Sequence, residues 1–419
     1  MLILTARYLV PVSQPPIRDG ALLIEGTCIR AVGPLAALRK GHPGAEVKGL
    51  GEAILLPGLV NVHTHLELTA FRGQVPPGNS FVDWVLNLLE RKRALSWEDY
   101  AGAVEEGIAE LIRSGTTCVG EVTSIGVSFT GLKRSGLRAV VYREVIGVDD
   151  ARADEIAEMP FAHLEAMREQ ARGSCLEVGV APHAAYSVSP RLFRLCRQFQ
   201  QRCDLKAAIH VAESQPEMEY LQSAMGEIRT RLLPATGWGD VPPPIPGTTP
   251  VAYLYGLGFL NPKCVLIHAV HITDEDLEIL ARSGVNVVHC PRSNAYLGVG
   301  RTPLKAIRDR RIPVSLGTDS LASNENLSLW DEMRFAHQDH GGLLSPETWI
   351  SMATLGGAKA LGLDQEIGTL EPGKRADLTV IALDGAGDDP YEYLLHEAGP
   401  EKVLLTMVDG IFLYERQEQ

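Results

Sequence analysis

The 419-residue sequence predicts an α/β protein whose main part is a (β/α)8 barrel of the TIM type. Strand-like and helix-like segments alternate through the middle of the chain, which is typical of parallel sheets with crossover helices. No glycine-rich phosphate loop follows the first of these strands, which argues against an open doubly wound sheet. Eight successive strands are predicted at 59–65, 116–122, 137–146, 176–182, 206–212, 264–270, 285–290 and 312–318.

The chain begins and ends with short strand-like runs that are separated by turn residues. The clearest runs are 21–26 and 28–33, which form a predicted hairpin, and 376–381 and 403–410 near the other end. We therefore expect a small composite β-sandwich domain from residues 1–56 and 365–419, and a barrel from residues 57–364.

Capping residues place two helices between the predicted barrel strands. Ser189-Pro190 is a typical helix start, and apolar residues follow it at helical spacing. Thr273 and the three acidic residues after it open another helix, which we expect to end at Gly284.

Residues 226–250 interrupt the alternation with a Pro242-Pro243-Pro244 run and several glycines. This segment is long for a barrel loop, and long loops often cover binding sites. A passive surface insertion is the alternative, and the sequence does not decide whether the segment is a lid.

Composition narrows the class of function. The net charge of -13 argues against a surface for nucleic acid, and no window approaches the ~20 apolar residues of a membrane-spanning helix. The seven cysteines include no C-x-x-C pair and indicate reduced thiols. We expect a cytoplasmic protein with a small-molecule substrate, no nucleic acid and no membrane, and the sequence leaves open whether it is a homo-oligomer.

Chemically active residues gather where the predicted strands end, and the carboxyl ends of barrel strands converge on one mouth. Three imidazoles and a carboxylate are natural ligands for zinc or iron. Glu213 is too far along to be an obvious ligand, but it is well placed to carry a proton. In order, the strand ends supply His63 and His65, His183, His210 and Glu213, His268 and His271, His289, and Asp319 with Ser320.

Each of these residues also has a structural interpretation. His63 and His65 could be hydrogen-bonded histidines at a strand end, and Asp319 could be a helix N-cap. We expect His271 and His289 to be structural. The remaining histidines in helical or surface-like stretches are expected to be solvated: His163, His337, His340 and His396.

Two segments resemble signatures of the amidohydrolase superfamily, and the resemblance covers nearly the whole chain. They are Pro57-Gly58-Leu59-Val60-Asn61-Val62-His63-Thr64-His65 and Glu371-Pro372-Gly373-Lys374-Arg375-Ala376-Asp377-Leu378. The resemblance implies metal ligation by His63, His65, His210 and Asp319. It also implies that Glu213 protonates the substrate ring, and that the reacting water is held and deprotonated by His268 and Asp319.

The resemblance further implies a single divalent ion. Superfamily members with two metals carry a bridging lysine at the end of the fourth strand, where this chain has Ala181-Pro182-His183. Zinc is expected and iron is the alternative, because sites of this ligand type accept both.

Other segments resemble the aminohydrolase branch that includes adenosine, S-adenosylhomocysteine, guanine and triazine hydrolases. They are His210-Val211-Ala212-Glu213, Pro291-Arg292-Ser293-Asn294 and residues 317–324. Residues 65–69, 81–84, 246–251 and 290–296 look most like the aminodeoxyfutalosine deaminases of menaquinone synthesis.

The resemblance implies hydrolytic deamination of an aminopurine-like ring, with 6-amino-6-deoxyfutalosine as the first candidate substrate. Adenosine, S-adenosylhomocysteine, guanine or cytosine deamination and triazine dechlorination are alternatives, and a non-catalytic barrel scaffold is the alternative of a different class. The implied substrate contacts are His183, Glu67, Trp84, Glu90 and Ser320.

Three residues near this mouth also have other interpretations. Glu67 could instead complement a helix N-terminus, and Trp84 could be helix core. Arg143 near the end of the third strand could meet an anionic group or form a structural ion pair.

Overall fold

The computed structural model describes residues 1–243, 247–385 and 389–417. Pro244 of the predicted proline run and Pro246 of one segment that carries the family resemblance lie outside the described residues.

The strands in chain order are β1 (Leu2–Leu9), β2 (Ile17–Glu25), β3 (Cys28–Pro34), β4 (Glu46–Gly49), β5 (Ala53–Pro57), β6 (Leu59–Thr64), β7 (Thr116–Thr123), β8 (Arg138–Val145), β9 (Leu176–Pro182), β10 (Lys206–Val211), β11 (Cys264–His268), β12 (Asn286–His289), β13 (Val314–Leu316), β14 (Leu378–Ala382), β15 (Val403–Val408) and β16 (Ile411–Glu415).

The helices are α1 (Leu35–Gly41), α2 (Phe81–Lys92), α3 (Trp97–Arg113), α4 (Val127–Ser135), α5 (Ala153–Ala171), α6 (Pro190–Cys203), α7 (Gln215–Ser223), α8 (Leu233–Ala235), α9 (Pro250–Gly256), α10 (Asp274–Ser283), α11 (Pro291–Tyr296), α12 (Leu304–Asp309), α13 (Leu329–Asp339), α14 (Pro346–Ser351), α15 (Gly357–Ala360) and α16 (Pro390–His396). Short 3₁₀ helices lie at Leu66–Phe71, Asp150–Arg152 and Pro400–Lys402, and π-helical turns at Ile228–Leu232 and Met352–Gly356.

The predicted barrel is confirmed. Strands β6 to β13 pair side by side in sequence order, and each pair is parallel. Each observed strand lies within two residues of its predicted ends, which is the usual uncertainty of such boundaries. Strand β11 ends earlier than predicted because His268 and Ala269 leave extended geometry, with φ of 73° and 47°. Strand β13 ends at Leu316, two residues before its predicted end.

The barrel closes between its last and first strands without a full ladder. A single parallel bridge joins Thr64 to Asp319. The backbone amides of Thr318 and Asp319 both donate to the His63 carbonyl, at 3.2 and 3.0 Å. A Cβ at Gly317 would lie 2.8 Å from the His63 Cβ, so this seam requires glycine at position 317.

Apolar side chains fill the barrel interior, as expected for a TIM-type core. Val60, Val140, Val265 and Val288 belong to one buried cluster within the ring of strands. The same cluster includes four residues that follow or belong to α15 and close the lower end of the barrel: Ala358, Leu361, Leu363 and Ile367.

Both ends of the chain build the second sheet, which confirms the composite domain. Its order is β16-β15-β14-β5-β1-β2-β3, and β4 pairs with β1. The predicted hairpin is β2 and β3. Strand β5 pairs antiparallel with β14, and residues such as Leu55, Leu378 and Met407 share one buried cluster.

An ion-pair group joins the composite sheet to the barrel. Arg138 at the start of β8 donates to both carboxylate oxygens of Asp377, at 2.8 and 3.2 Å, and to Asp409 at 2.8 Å. The bidentate geometry makes this the type of charge pair that tolerates burial. Asp377 belongs to the C-terminal signature segment, and its carboxylate therefore links the composite sheet to the barrel.

The two predicted helix starts are present. The Ser189 side chain accepts from the Leu192 amide at the start of α6, and Thr273 forms a capping box with Asp276 at the start of α10. Gly284 ends α10 in the left-handed conformation. Among the described residues, no helix has both the length and the apolar character needed to cross a bilayer.

Gly317→Ala should weaken closure of the barrel. The added methyl group would meet the His63 Cβ at 2.8 Å and Val288 Cγ1 at 3.0 Å, and overpacking of this kind costs about 1–3 kcal/mol. We expect a lower midpoint of thermal unfolding and a lower content of bound metal, measured by calorimetry and elemental analysis.

Gly102→Ala is the matched control, because a Cβ there meets nothing within 4 Å and Gly102 is exposed on helix α3. It should leave stability unchanged or raise it slightly. Equal behaviour of the two variants would contradict the importance of the seam.

Candidate active site

The predicted ligands meet at the carboxyl ends of the barrel strands. Several residues at these ends have positive φ, which is rare for residues other than glycine. They are Ala212 at 48°, His268 at 73°, Ala269 at 47° and Asp319 at 58°. Such strained backbone is typical of functional sites, where it turns side chains that a regular strand would point elsewhere.

The first-strand histidines and the eighth-strand carboxylate form one tight group. Asp319 Oδ1 lies 3.3 Å from His63 Nε2 and 3.7 Å from His65 Nε2. The two imidazole rings are 4.7 Å apart and nearly perpendicular, with an interplanar angle of 87°. Three nitrogen and oxygen atoms from three residues therefore face one point.

His210 and His268 complete the group from the fifth and sixth barrel strands. His210 Nε2 is 3.3 Å from His65 Nε2, while His210 Nδ1 contacts the His183 carbonyl at 3.1 Å. This second contact assigns the proton of His210 to Nδ1 and leaves Nε2 as a lone-pair donor. The His210 and His268 rings stack with centroids 5.6 Å apart.

The donor set fits a divalent ion. His63 Nδ1 and Nε2 and His268 Nε2 are buried and have no hydrogen-bond partner among the described residues, which is costly unless something else satisfies them. The side chains of His63, His65 and Asp319, and separately those of His63, His210 and His268, each bring ligand atoms within 4.8 Å of one another. Imidazole and carboxylate ligands suit zinc and related metals.

Burial also prepares these side chains as ligands. It lowers the pKa of His63 and His210, and with the help of His63 it lowers the pKa of His65 to about 4. The imidazoles are therefore neutral, as ligation requires. Burial alone would raise the pKa of Asp319, but contact with His63 holds it well below its usual range.

Two serines hold the far oxygen of Asp319. Ser293 Oγ and Ser323 Oγ both donate to Asp319 Oδ2, at 2.6 and 2.8 Å. Oδ1 is therefore left to face the histidines. Ser293 belongs to the Pro291-Arg292-Ser293-Asn294 segment, so this segment contributes a hydrogen bond that orients a ligand.

Glu213 lies beside this group as a buried carboxyl. Its Oε1 is 3.4 Å from His268 Nε2, and its backbone amide donates to Glu217 at 2.9 Å. Burial raises the pKa of Glu213 well above its ordinary value, and the negative charge of Asp319 raises it further. The protonated form is therefore favoured, which suits a group that donates a proton.

A cavity of ≈ 250 Å³ opens above these residues. Its floor is the ligand group itself, because His65, His210, Glu213, His268 and Asp319 all line it. The rest of the lining is largely apolar and includes Phe81, Trp84, Leu88, Ile146, Leu232 and Trp238. The cavity can therefore hold a ligand whose polar end meets the histidines and whose other end is apolar.

Three predicted substrate contacts line this cavity: His183, Trp84 and Ser320. Trp84 also donates from Nε1 to the Ala322 carbonyl at 3.2 Å, which fixes its ring in the wall. The insertion supplies Leu232, Leu233, Thr236 and Trp238 to the same cavity. Part of residues 226–250 therefore contributes to the wall of the cavity.

Two other predicted substrate contacts, Glu67 and Glu90, are not among the residues that line this cavity. The Glu67 side chain is buried at 3% exposure and accepts from the backbone amides that start α4, including Gly126 at 3.1 Å and Val127 at 3.2 Å. Its carboxylate therefore complements the N-terminus of α4, which was the structural interpretation of this residue. Glu90 is exposed on α2, whereas Trp84 on the same helix is buried.

Sequence reasoning missed Glu144 and Lys92, which both line the cavity. The sequence pointed to Arg143 as a possible contact of an anionic group. The Arg143 side chain instead points to the helical layer and donates to the Glu144 carbonyl and to His163 Nδ1. Because side chains alternate along a strand, an inward Tyr142 places Glu144 in the cavity and Arg143 outside. That alternation was the signal that could have found it.

Burial opposes the charge of Glu144, but nearby His183 and Lys92 outweigh it and lower its pKa. The charge of Lys92 also acts on His65 and His183, so Lys92 lies on the same side of the cavity as Glu144 and the histidines. His340 corrects another expectation: it is partly buried, and its Nε2 lies 3.3 Å from His289 Nε2.

Comparison with known proteins identifies the same family that the sequence motifs resemble. The family model described as "Amidohydrolase family" matches residues 54–412, and a model of an imidazolonepropionase-like composite domain from bacteria matches residues 20–45.

Among similar proteins, a 5-methylthioadenosine/S-adenosylhomocysteine deaminase of Nitratidesulfovibrio vulgaris is 32% identical over 95% of this chain and 88% of its own length. An aminodeoxyfutalosine deaminase of Deinococcus radiodurans is 33% identical over 82% of this chain and 81% of its own. A crystal structure of an adenosine deaminase from Xanthomonas campestris with bound zinc superimposes with a TM-score of 0.84 at 28% identity, covering 98% of this chain and 92% of that one.

Ser293→Ala should weaken metal binding. It removes one of the two hydroxyl donors that hold Asp319 Oδ2, and loss of such a supporting hydrogen bond typically costs about 10- to 100-fold in metal affinity. Competition with a chromophoric zinc chelator measures the affinity.

Ser315→Ala is the matched control, since Ser315 is equally buried but donates to Asn286 at 2.7 Å, away from the ligands. Wild-type affinity in both variants would show that Ser293 does not support the ligand.

Proposed function

We propose that this chain, which belongs to the amidohydrolase family and is a hydrolase of carbon–nitrogen bonds, deaminates an aminopurine nucleoside with release of ammonia. One observation carries the proposal. A buried Glu213 carboxyl that favours its protonated form lies 3.4 Å from His268, beside the histidine and aspartate group and at the floor of an apolar cavity.

His63, His65, His210 and Asp319 would hold one divalent ion, zinc in the first place. When bound, such an ion lowers the pKa of water towards neutrality and so supplies a nucleophile at ordinary pH. The lone pairs of the neutral imidazoles and the Oδ1 atom of Asp319 face the point where the ion would sit.

Glu213 supplies the proton that deamination requires. A purine-like ring accepts a nucleophile at the amine-bearing carbon once the adjacent ring nitrogen is protonated, because that nitrogen then takes the displaced electron pair. Glu213 lines the cavity floor and favours its acid form, so it can donate to that nitrogen. General acid catalysis of this type contributes roughly 10²–10⁴-fold.

His268 and Asp319 act on the water. His268 Nδ1 contacts Asn294 at 2.9 Å, whereas its Nε2 faces Glu213 Oε1 and the ligand group. Nε2 can therefore accept a proton from the attacking water. Asp319, held by Ser293 and Ser323, can pass a proton to the amine as it leaves.

The cavity suits a nucleoside with a large apolar or aromatic substituent. Glu144 and His183 line the cavity beside the histidines, where ribose hydroxyl groups would meet them, and Trp84 and Trp238 belong to its apolar lining. Lys92 adds a cation to the same cavity, near enough for its charge to act on Glu144 and His183, and a cation there favours a substrate that carries a carboxylate. 6-Amino-6-deoxyfutalosine, a benzoate-bearing nucleoside, is therefore our first candidate.

5-Methylthioadenosine and S-adenosylhomocysteine form the second candidate class. The observation that favours them is the similarity over 95% of this chain to a deaminase named for those two substrates. 5-Methylthioadenosine lacks a carboxylate, whereas S-adenosylhomocysteine carries one on its amino-acid part, so only 5-methylthioadenosine differs from the first candidate in what it offers to Lys92.

Ammonia release over a small panel tests the proposal. The zinc-loaded protein is assayed with 6-amino-6-deoxyfutalosine, 5-methylthioadenosine, S-adenosylhomocysteine, adenosine, guanine and cytosine. We expect the highest kcat/KM for the first compound, because it fills the apolar wall and pairs with Lys92. Preference for 5-methylthioadenosine would replace the substrate and keep the reaction, whereas no ammonia from any member would contradict deamination of this class.

Glu213→Gln should keep the metal and lose turnover by roughly 10²–10⁴-fold, because an amide cannot donate the required proton. The measurements are kcat for the best panel substrate and zinc content by elemental analysis.

Glu217→Gln is the matched control. Burial raises the pKa of Glu217 to about 8, so a neutral amide replaces a largely neutral acid, and the amide oxygen can still accept from the Glu213 backbone. We expect this variant to keep most of its activity. A Glu213→Gln variant with wild-type kcat would rule out the assigned role.

A further inference from the structure

A continuous set of hydrogen bonds runs from His268 away from the substrate cavity. His268 Nδ1 contacts Asn294 Oδ1 at 2.9 Å, and Asn294 Nδ2 donates to Thr302 Oγ1 at 3.3 Å. Thr302 Oγ1 in turn donates to the His268 carbonyl at 2.9 Å. His289 Nδ1 contacts the same hydroxyl at 3.1 Å, and His340 Nε2 lies 3.3 Å from His289 Nε2.

The Thr302 hydroxyl determines the direction of every bond in this set. A backbone carbonyl can only accept, so the single hydroxyl proton of Thr302 is directed to His268 O. Every other group that contacts Oγ1 must therefore donate to it. For Asn294 this places Nδ2 against Thr302 and leaves Oδ1 against His268.

The amide orientation then decides the tautomer of His268. An amide oxygen accepts only, so His268 must carry its proton on Nδ1 and has a lone pair on Nε2. The same argument gives His289 a proton on Nδ1, which leaves its Nε2 to accept from His340 Nε2.

We propose that Thr302 is a positioning residue for the hydrolytic reaction, and that with Asn294 and His289 it holds His268 in the tautomer that presents an unprotonated Nε2 to the reacting water. The inference rests on the proposed role of His268. In the step it supports, the water O–H bond breaks and an N–H bond forms at Nε2. The resulting imidazolium is stabilised by the Asn294 oxygen that faces Nδ1.

The loop that carries Thr302 is itself anchored beside the site. His271 Nε2 contacts the Val299 carbonyl at 2.7 Å, which fixes the loop against the segment after β11. Gly300 has a φ of +114°, and a Cβ there would lie 3.2 Å from Val270 Cγ1. His271 therefore acts on the loop, and Thr302 acts on His268.

Two substitutions at position 302 separate the effect of the hydroxyl group from the effect of packing. Thr302→Val keeps the shape but removes the hydroxyl, so the Asn294 amide is free to turn and His268 can take either tautomer. Thr302→Ser keeps the hydroxyl and loses a methyl group. We expect kcat of Thr302→Val to fall about 10- to 100-fold with KM and zinc content unchanged, and Thr302→Ser to remain near wild type.

Neutron diffraction from the zinc-loaded wild-type protein gives a readout that does not depend on activity. We expect deuterium on His268 Nδ1, His289 Nδ1 and His340 Nε2. Deuterium on His268 Nε2 alone would overturn the inference even if the protein is a deaminase, and the expected pattern would support it even if the substrate assignment fails.

The kinetic outcomes are equally decisive. Wild-type kcat in Thr302→Val, or an equal loss in Thr302→Val and Thr302→Ser, would overturn the role of the hydroxyl. If Thr302→Val does not fold, His289→Asn and His289→Leu replace it, because asparagine retains a donor at the Nδ1 position and leucine does not. Loss of kcat in His289→Leu alone supports the proposal, and equal behaviour contradicts it.

Discussion

Two backbone hydrogen bonds at one carbonyl connect the fold of this protein to its chemistry. The amides of Thr318 and Asp319 donate to the His63 carbonyl, and this contact closes the barrel where β13 is only three residues long. It also brings a ligand from the last strand beside a ligand from the first. A barrel that opened at this seam would separate Asp319 Oδ1 from His63 and His65, so closure and metal binding depend on the same few atoms.

Buried carboxyl groups then arrange the rest of the site. Glu121 accepts from the Leu66 amide and from Thr64 Oγ1, and Glu67 accepts from the start of α4, so both sides of the His65 backbone are anchored. On the opposite side, Glu332 accepts from the Arg292 amide and from Asn324, which holds the segment that carries Ser293. Burial raises the pKa of Glu121 and of Glu332, the latter to about 8. The site thus combines acids that favour the neutral form with two carboxylates that favour the charged form, Asp319 and Glu144.

The sequence predicted those features that depend on local pattern. The alternation of strands and helices predicted the barrel. Their positions at strand ends predicted that six residues would lie close together: His63, His65, His210, Glu213, His268 and Asp319. The features that the sequence did not predict are set by the direction of a side chain or by a partner that is distant in sequence. Glu67 and Glu90 both belong to the segment between the first two barrel strands. The Glu67 carboxylate points to the start of α4, and Glu90 is exposed to solvent. The contact of His340 with His289 joins α13 to β12, and no periodicity within either segment indicates it.

The composite sheet has a consequence for the order in which the protein can be made. Strand β5 pairs with β14, and the buried face of β1 and β2 packs with residues of β14 and β15 such as Val380 and Met407. At a ribosomal rate of about 5–20 residues per second, the amino-terminal strands emerge tens of seconds before their partners. During that time an apolar sheet face and an unpaired strand edge are exposed, which is the situation that favours aggregation. The composite sheet can therefore be completed only after β14 and β15 have left the ribosome.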